Sequence, residues 1–381
     1  MNWPARAERI LNHPVVTAFN TRTSRHEPEI HVFLLWSNAL DKTDQILADI
    51  RARFTVLDVF SIEWSPENFA SNLTRFYGQT LPAGSEKELH CGTGAFLVVV
   101  VEDLQPIYAA RTTTRGKVVL NVRMFDAKRR YRRWTGGGHR VHATVNPREA
   151  DKDLFLLLGR RAAFYRAPPR DRWDGATVSL RRDLTGANGW QSRLELLAAL
   201  ETVTGYVALV RPTTAEAAAA EPLELLVENV WWAARIANGI GESDADQRVV
   251  VAGKELRLAL SEVGDGSLDP SWQHLLLSHS VRDPDGLLVP SPEDRFYLAL
   301  HDVASSGIEL APATRQDLDQ LARGLSLPPT DYGDRGSAAA ALAAHVAQLT
   351  ARPAVSSEPD RRIALPHLTR LMRRVAGRAA S

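Results

Sequence analysis

Residues 95–102, AFLVVVVE, restrict this chain more than any other stretch. An apolar run this short falls well below the roughly 20 residues of a bilayer-spanning helix. It therefore reads as a strand buried within a sheet. HVFLLW (31–36) reads as a second buried strand and TVLDVFSIEW (55–64) as a third. Between them, DKTDQILADIRARF (41–54) places Ile46, Leu47 and Ile50 on one helical face. Ser65-Pro66-Glu67 opens a helix toward Phe76-Tyr77, with proline in its first turn. PIYAARTTT (106–114) reads as a strand or a helix. The alternation of strand and helix predicts an α+β sandwich with helices on one face of a sheet.

At roughly 100–200 residues per domain, 381 residues imply two or three domains. The expected division is an N-terminal extension (1–27), a first α+β domain (28–165), a linker (166–200) rich in Arg, Pro, Asp and Gly with at most one short strand, a second α/β domain (201–305) and a helical C-terminal region (306–381). A net charge of +1 argues against specific nucleic-acid binding by the whole molecule. The single cysteine, Cys91, excludes an intrachain disulfide and a Cys-based metal cage. With no apolar signal-like core in MNWPARAERILNHP, a reducing, cytoplasmic setting is expected, and abundant Ala and Arg suggest a GC-rich bacterial genome. RRIALPHLTRLMRRVAGR (361–378) carries an apolar stripe among basic residues and suits a peripheral membrane or partner contact, or packing on the chain itself.

HRVHATVNPREADKDLFLLLGR (139–160) has the pattern of a helix with both ends written in. Asn146 is an N-cap, Pro147 opens the first turn, Glu149 completes a capping box and Gly159 ends the helix. His142 precedes its N-terminus, where anions are favoured. A histidine can accept a phosphoryl group when one ring nitrogen is free and the other is held by an acceptor. Asp153, on the following helix, could turn back to make that bond; the alternative from spacing alone is a satisfied, partly buried His142 and an exposed Asp153. Just upstream, Arg129, Arg130, Arg132, Arg133 and Arg140 flank Gly136-Gly137-Gly138. Such a basic loop can be simply solvated, or Arg132, Arg133 and Arg140 can fork onto an anion that approaches the glycine backbone.

These residues resemble those of nucleoside diphosphate kinases over about 130 positions. That family carries Asn-x-x-His-Gly-Ser-Asp-Ser before an amphipathic helix, with its catalytic His bonded to a Glu eleven residues downstream. The resemblance implies a ferredoxin-like sandwich in which His142 is nucleophile or acid/base and Asp153 its orienter. Thr144 matches the family Ser, and His139 stands at the family Asn. Arg111, Arg123 and Tyr77, from AARTTTRG, Val122-Arg123 and Phe76-Tyr77, match phosphate-binding positions. A nucleoside triphosphate with Mg2+, a small anionic second substrate and homo-oligomerisation are implied in turn. The family's Lys at the end of the first strand is absent, because this chain reads Trp36-Ser37-Asn38. That departure favours the alternative, a non-catalytic nucleotide-binding or scaffold protein.

The second domain weakly resembles a nucleotidyltransferase that has lost its metal carboxylates. Its acidic positions fall on Pro222, Glu224 and Ala259, and one carboxylate cannot hold two metal ions, so no metal site is expected. Trp231-Trp232 read as core, Asp265 and Asp269 as bracketing a turn, and His301-Asp302 as a polar pair on a helix.

Overall fold

The structure, a computed structural model, describes residues 27–113, 116–166, 173–209, 222–306, 312–328 and 330–351. Two compact units divide the chain. The first comprises residues up to Val203 with Arg235–Asn238 and Val250–Lys254, and the second comprises Thr204–Ala234, Gly239–Val249 and the chain from Glu255 on.

The first unit runs β1 (Glu29–Leu35), α1 (Thr43–Arg53), β2 (Thr55–Glu63), α2 (Phe69–Tyr77), α3 (Glu86–Cys91), β3 (Phe96–Asp103), β4 (Tyr108–Thr113), β5 (Gly116–Asn121), α4 (Val122–Trp134), β6 (Val141–Ala143), α5 (Pro147–Leu158), α6 (Ala162–Arg166), β7 (Val178–Arg181) and α7 (Arg193–Val203). Its five-stranded sheet has the order β6-β1-β3-β2-β7. The first four strands are antiparallel neighbours in the ferredoxin-like order, and β7 adds parallel to β2, so the sheet is mixed.

Why the sheet is covered on both faces follows from β1 and β3. Ile30, Val32, Phe33, Leu34 and Leu35 are all buried, as are Val98 to Val101, so neither parity of either strand can face water. Phe33, Leu35, Val99 and Val101 pack with Ile46 and Ile50 of α1 and Met124, Ala127 and Tyr131 of α4. On the alternate positions His142 lies opposite Leu34 and meets Phe76 of α2 and Asp153 of α5. The expected single-faced layer is thus corrected to helices on both faces.

Other expectations shift as well. PIYAARTTT forms β4, which pairs with β5 as a separate two-stranded hairpin, and contains no helix. The basic stretch expected as a loop is helical to Trp134: Arg130 reaches Asp49 of α1 at 3.0 Å, and Tyr131 donates to the same carboxylate at 2.8 Å. Of the segment 166–200, residues 173–200 are structured. They hold β7 and most of α7, bury Leu184, Trp190, Leu196 and Leu197, and belong to the first unit.

Asp183 anchors this returning segment. Its carboxylate accepts from the Ser65 backbone (2.9 Å) and hydroxyl (2.8 Å), from Asn68 (2.9 Å) and from Asn72 (2.7 Å). Partial burial alone would raise its pKa, but these donors outweigh burial and hold it below the usual carboxylate range. A depressed folded pKa contributes stability above the unfolded value of about 3.9, and that stability is lost as pH falls through the folded pKa. Asp183→Asn is therefore expected to flatten the acid side of the stability curve below about pH 4 while leaving its shape near pH 7 unchanged. Urea midpoints measured at pH 3 and pH 7 check this.

The second unit is built on a mixed sheet of order β10-β11-β12-β9-β8: β8 (Tyr206–Ala208), β9 (Leu223–Val227), α8 (Val230–Ala237), β10 (Ile240–Ser243), β11 (Asp246–Val251) and β12 (Lys254–Glu262). It continues through α9 (Pro270–Ser278), a short hairpin of β13 (Val281–Arg282) and β14 (Leu288–Val289), α10 (Pro292–Ser306), α11 (Pro312–Gly324) and α12 (Arg335–Ala351). Phe296, Leu300, Leu318 and Ala338 form one helical core, and Val207 and Leu226 of the sheet pack with Trp272 and Leu276 of α9. The described C-terminal helices fall in the same compact unit as the second sheet. Segments 1–26 and 361–378 lie outside the described residues. Among the described residues no helix is long and apolar enough to cross a membrane.

Candidate active site

The span of α5, Pro147–Leu158, is the one its capping residues predict. Asn146 Oδ1 accepts from the Glu149 backbone N–H at 2.8 Å, Glu149 Oε2 accepts from the Val145 N–H at 2.8 Å, and Gly159 closes the helix in the left-handed region. This closed box fixes the helix start against β6. It thereby fixes Asp153, two turns in, under the ring of His142.

The His142 Nε2–H donates to Asp153 Oδ2 at 2.8 Å. A carboxylate only accepts, so the proton of this bond sits on Nε2 and the neutral ring presents a lone pair at Nδ1. Nδ1 makes no hydrogen bond within the described residues. The ring is 9% exposed, and Phe76 and Tyr77 stand edge-on to it at 5.3 and 5.8 Å between centroids. Burial pushes the imidazole pKa below its ordinary value, against the upward pull of Asp153 and Glu149, so the ring is neutral at pH 7. Burial would raise the Asp153 pKa, yet the Lys152 ammonium and the His142 bond outweigh it and keep the group ionised. Lys152 Nζ lies 2.9 Å from Asp153 Oδ1 and donates to the Phe76 carbonyl at 2.8 Å.

β6 lies at the edge of the sheet, and α4 covers that edge with cations. Lys128 Nζ donates to the Ala143 carbonyl at 3.0 Å and Arg132 Nε to the Val141 carbonyl at 2.8 Å, one on each side of His142. Sequence reasoning missed Lys128 and Lys152 as neighbours of His142. The signals were present, since Lys152 adjoins Asp153 and Lys128 sits one helical turn before Arg132.

Where the family Lys would stand, Trp36 is fully buried. Its indole N–H donates to the Tyr77 hydroxyl at 3.0 Å, and its ring packs against Phe96 (4.5 Å), Trp64 (5.5 Å) and Phe76 (6.0 Å). Lys87 sits 4.1 Å above the Tyr77 ring, and desolvation raises the Tyr77 pKa well above the usual range. Burial pushes the nearby Cys91 thiol up to about 12, so it is no nucleophile at neutral pH.

The remaining expected site residues are dispersed. Arg123 packs over Phe54, contacts Asp103 at 3.3 Å and donates to the carbonyls of Gln105 (3.1 Å) and Arg53 (2.7 Å), all away from His142. Arg111, on the β4–β5 hairpin, pairs with Asp126 at 3.5 Å. The Thr144 hydroxyl lies 3.0 Å from His31 Nδ1 and accepts from the Val32 N–H at 3.1 Å. His139 faces His90 at 5.7 Å between ring centroids. Arg133 is exposed on α4, and Arg140 donates to the Thr135 carbonyl. Thus Asp153, Tyr77 and Arg132 come to His142 or its strand, while Arg111, Arg123 and Thr144 find other partners. The three glycines take φ of +87°, +89° and +68°, and a Cβ on Gly138 would come within 3.0 Å of the His90 ring. Their positive φ carries the turn after α4.

In the second unit Glu224 pairs in register with Ala259, Asp269 caps α9 and Asp265 accepts from Ser267 and Gln273. Trp232 is buried, and His301 Nδ1 lies 3.8 Å from Asp302 Oδ1. No recurrence of nucleotidyltransferase acids is seen among these positions.

No family model matches the chain, and no curated protein matches it. Among solved structures, the nucleoside diphosphate kinase of Aquifex aeolicus in an orthorhombic crystal form is similar at 15% identity, over 33% of this chain and 92% of that one, with a TM-score of 0.23. The match is confined to about a third of the chain, and the chemistry below is argued from the site geometry.

Proposed function

We propose that the first unit is a histidine-based phosphotransferase module that takes a phosphoryl group from a nucleoside triphosphate, supplied as its magnesium complex, onto Nδ1 of His142 and passes it to a small anionic acceptor. The observation that carries this reading is the 2.8 Å bond from Nε2 to an ionised, buried Asp153, which orients a neutral ring with Nδ1 unbonded. In the step, the Nδ1 lone pair forms a bond to the γ-phosphorus, the bond from that phosphorus to the bridging oxygen breaks, and the nucleoside diphosphate leaves. Positive charge developing on the ring is met by Asp153 through Nε2–H. Lys128 and Arg132 supply positive charge beside the strand.

A second reading, a nucleotide-binding or scaffold protein without turnover, is favoured by a specific observation. Trp36 and Tyr77 close the wall where the family Lys would stand, and Arg111 and Arg123 serve other contacts. Incubation with γ-labelled ATP and magnesium separates the two. The first reading expects acid-labile, alkali-stable label on wild type and none on His142→Ala. Absence of label with ATP still bound by calorimetry supports the second, and absence of both removes the nucleotide assignment altogether.

A further inference from the structure

We propose that His142, Glu149 and Asp153 form a binding site for a divalent transition-metal ion, zinc being the best chemical fit, and that occupancy of this site switches His142 out of phosphoryl acceptance. The switching half rests on the function proposed above; the metal site does not.

Glu149 and Asp153 are four residues apart on α5 and so share one helical face, which is turned toward β6. Their oxygens and His142 Nε2 all lie within 4.8 Å of one another, with Nε2 at 2.8 Å from Asp153 Oδ2 and 3.8 Å from Glu149 Oε1. Ligands bonded tetrahedrally to zinc at about 2.0–2.2 Å stand roughly 3.3–3.5 Å from each other. The two separations from Nε2 bracket that value and all three donors lie within 4.8 Å, so closing the two carboxylates about the ring nitrogen would seat an ion with a fourth position left for water. One imidazole and two carboxylates are a donor set that suits zinc.

The outer contacts point the same way. Glu149 Oε2 is held by the Val145 N–H, which leaves Oε1 to face the ring. Asp153 is fully buried, and its Oδ1 faces the Lys152 ammonium at 2.9 Å, which leaves Oδ2 turned to the His142 ring.

The consequence for His142 is a matter of proton placement. In the metal-free site the neutral ring carries its proton on Nε2. Coordination uses the Nε2 lone pair, so the one proton of the neutral ring moves to Nδ1. Nδ1 then has no lone pair to offer phosphorus, and metal and phosphoryl group exclude one another.

The test is titration of the full chain with Zn2+ against a chromophoric chelator, with no nucleotide present. Wild type is expected to take one ion at this site, His142→Ala to lose it, and Glu149→Gln to bind at least about tenfold more weakly. The glutamine can still accept from the Val145 N–H and leaves the His142–Asp153 bond in place, so its effect reads coordination rather than folding. Cobalt in place of zinc adds a tetrahedral visible spectrum that Glu149→Gln should diminish. Failure of wild type to bind, or retention of wild-type affinity by either variant, overturns the site. Saturating zinc is further expected to remove the phosphohistidine label from wild type, and undiminished label overturns the switch. A chain that takes no label even without zinc sinks the phosphotransferase reading alone, because the titration is read without nucleotide.

Discussion

Trp36→Ala is expected to destabilise the first unit by about 3–5 kcal/mol, the range for removing a large buried aromatic side chain. Four rings lose a partner at once: Trp64, Phe76, Tyr77 and Phe96 all lie within 6.2 Å of the Trp36 ring, which is fully buried. The Tyr77 hydroxyl also loses its indole donor. Scanning calorimetry of the full chain should show the transition of the first unit displaced downward. Trp36→Lys is expected to be at least as damaging. It would place an ammonium among those rings without a carboxylate to receive it. A Trp36→Lys protein as stable as wild type would contradict the account of this wall.

Asp153→Ala has the second large expected effect. It leaves the Lys152 ammonium, 3% exposed, without its counter-charge, and His142 without its acceptor. Breaking one partner of a buried ion pair typically costs about 3–5 kcal/mol. Removing both charges together is milder, so Lys152→Met combined with Asp153→Leu should recover much of the loss. Asp153→Asn should fall between, because an amide oxygen still accepts from Nε2 while the charge that faced Lys152 is gone. Urea midpoints for wild type, Lys152→Met, Asp153→Leu and the double variant form a cycle. Strict additivity of the single substitutions would mean that Lys152 and Asp153 do not act as a pair.

How much of this was legible in the sequence depends on how local the determining contacts are. α5 is written into a few consecutive residues: Asn146, Pro147, Glu149 and Gly159 close on one another within the helix and its ends, and both its bounds follow from them. The strand at AFLVVVVE is equally local, since seven consecutive apolar residues leave few choices. The His142–Asp153 pair was accessible because strand end and helix start are joined by three residues, which makes an eleven-residue spacing a statement about space. The basic stretch was opaque for the opposite reason. Arg130 and Tyr131 gain their purpose from Asp49, which is 81 and 82 residues away, and nothing in KRRYRRW announces a partner at that distance. Arg123 is likewise set by contacts distant in sequence. Its position beside Asn121, the N-cap of α4, sends it toward Asp103 and Phe54 rather than toward His142. β7 is a further case, as its four residues pair with β2 only after the chain has returned across more than 110 positions.

The cations that matter at the edge of β6 follow a single rule that sequence reading can use again. An edge strand beside a helix exposes its outward carbonyls, and long basic side chains at i and i+4 of that helix can cover them. Lys128 and Arg132 do this on either side of His142. Their charge reaches the site through the strand they cover, whereas the resemblance placed the positive charge on Arg111 and Arg123.

The central claim is that His142 is a neutral imidazole with its proton on Nε2 and a lone pair on Nδ1. The measurement that tests it most directly is a long-range 15N–1H correlation spectrum of the chain, metal-free and labelled at histidine nitrogens, at pH 7, with the His142 signals assigned by their loss in His142→Gln. The account predicts one protonated nitrogen at Nε2 and one unprotonated nitrogen at Nδ1. An imidazolium with both nitrogens protonated, or the proton on Nδ1, would contradict it and with it the assignment of His142 as a phosphoryl acceptor.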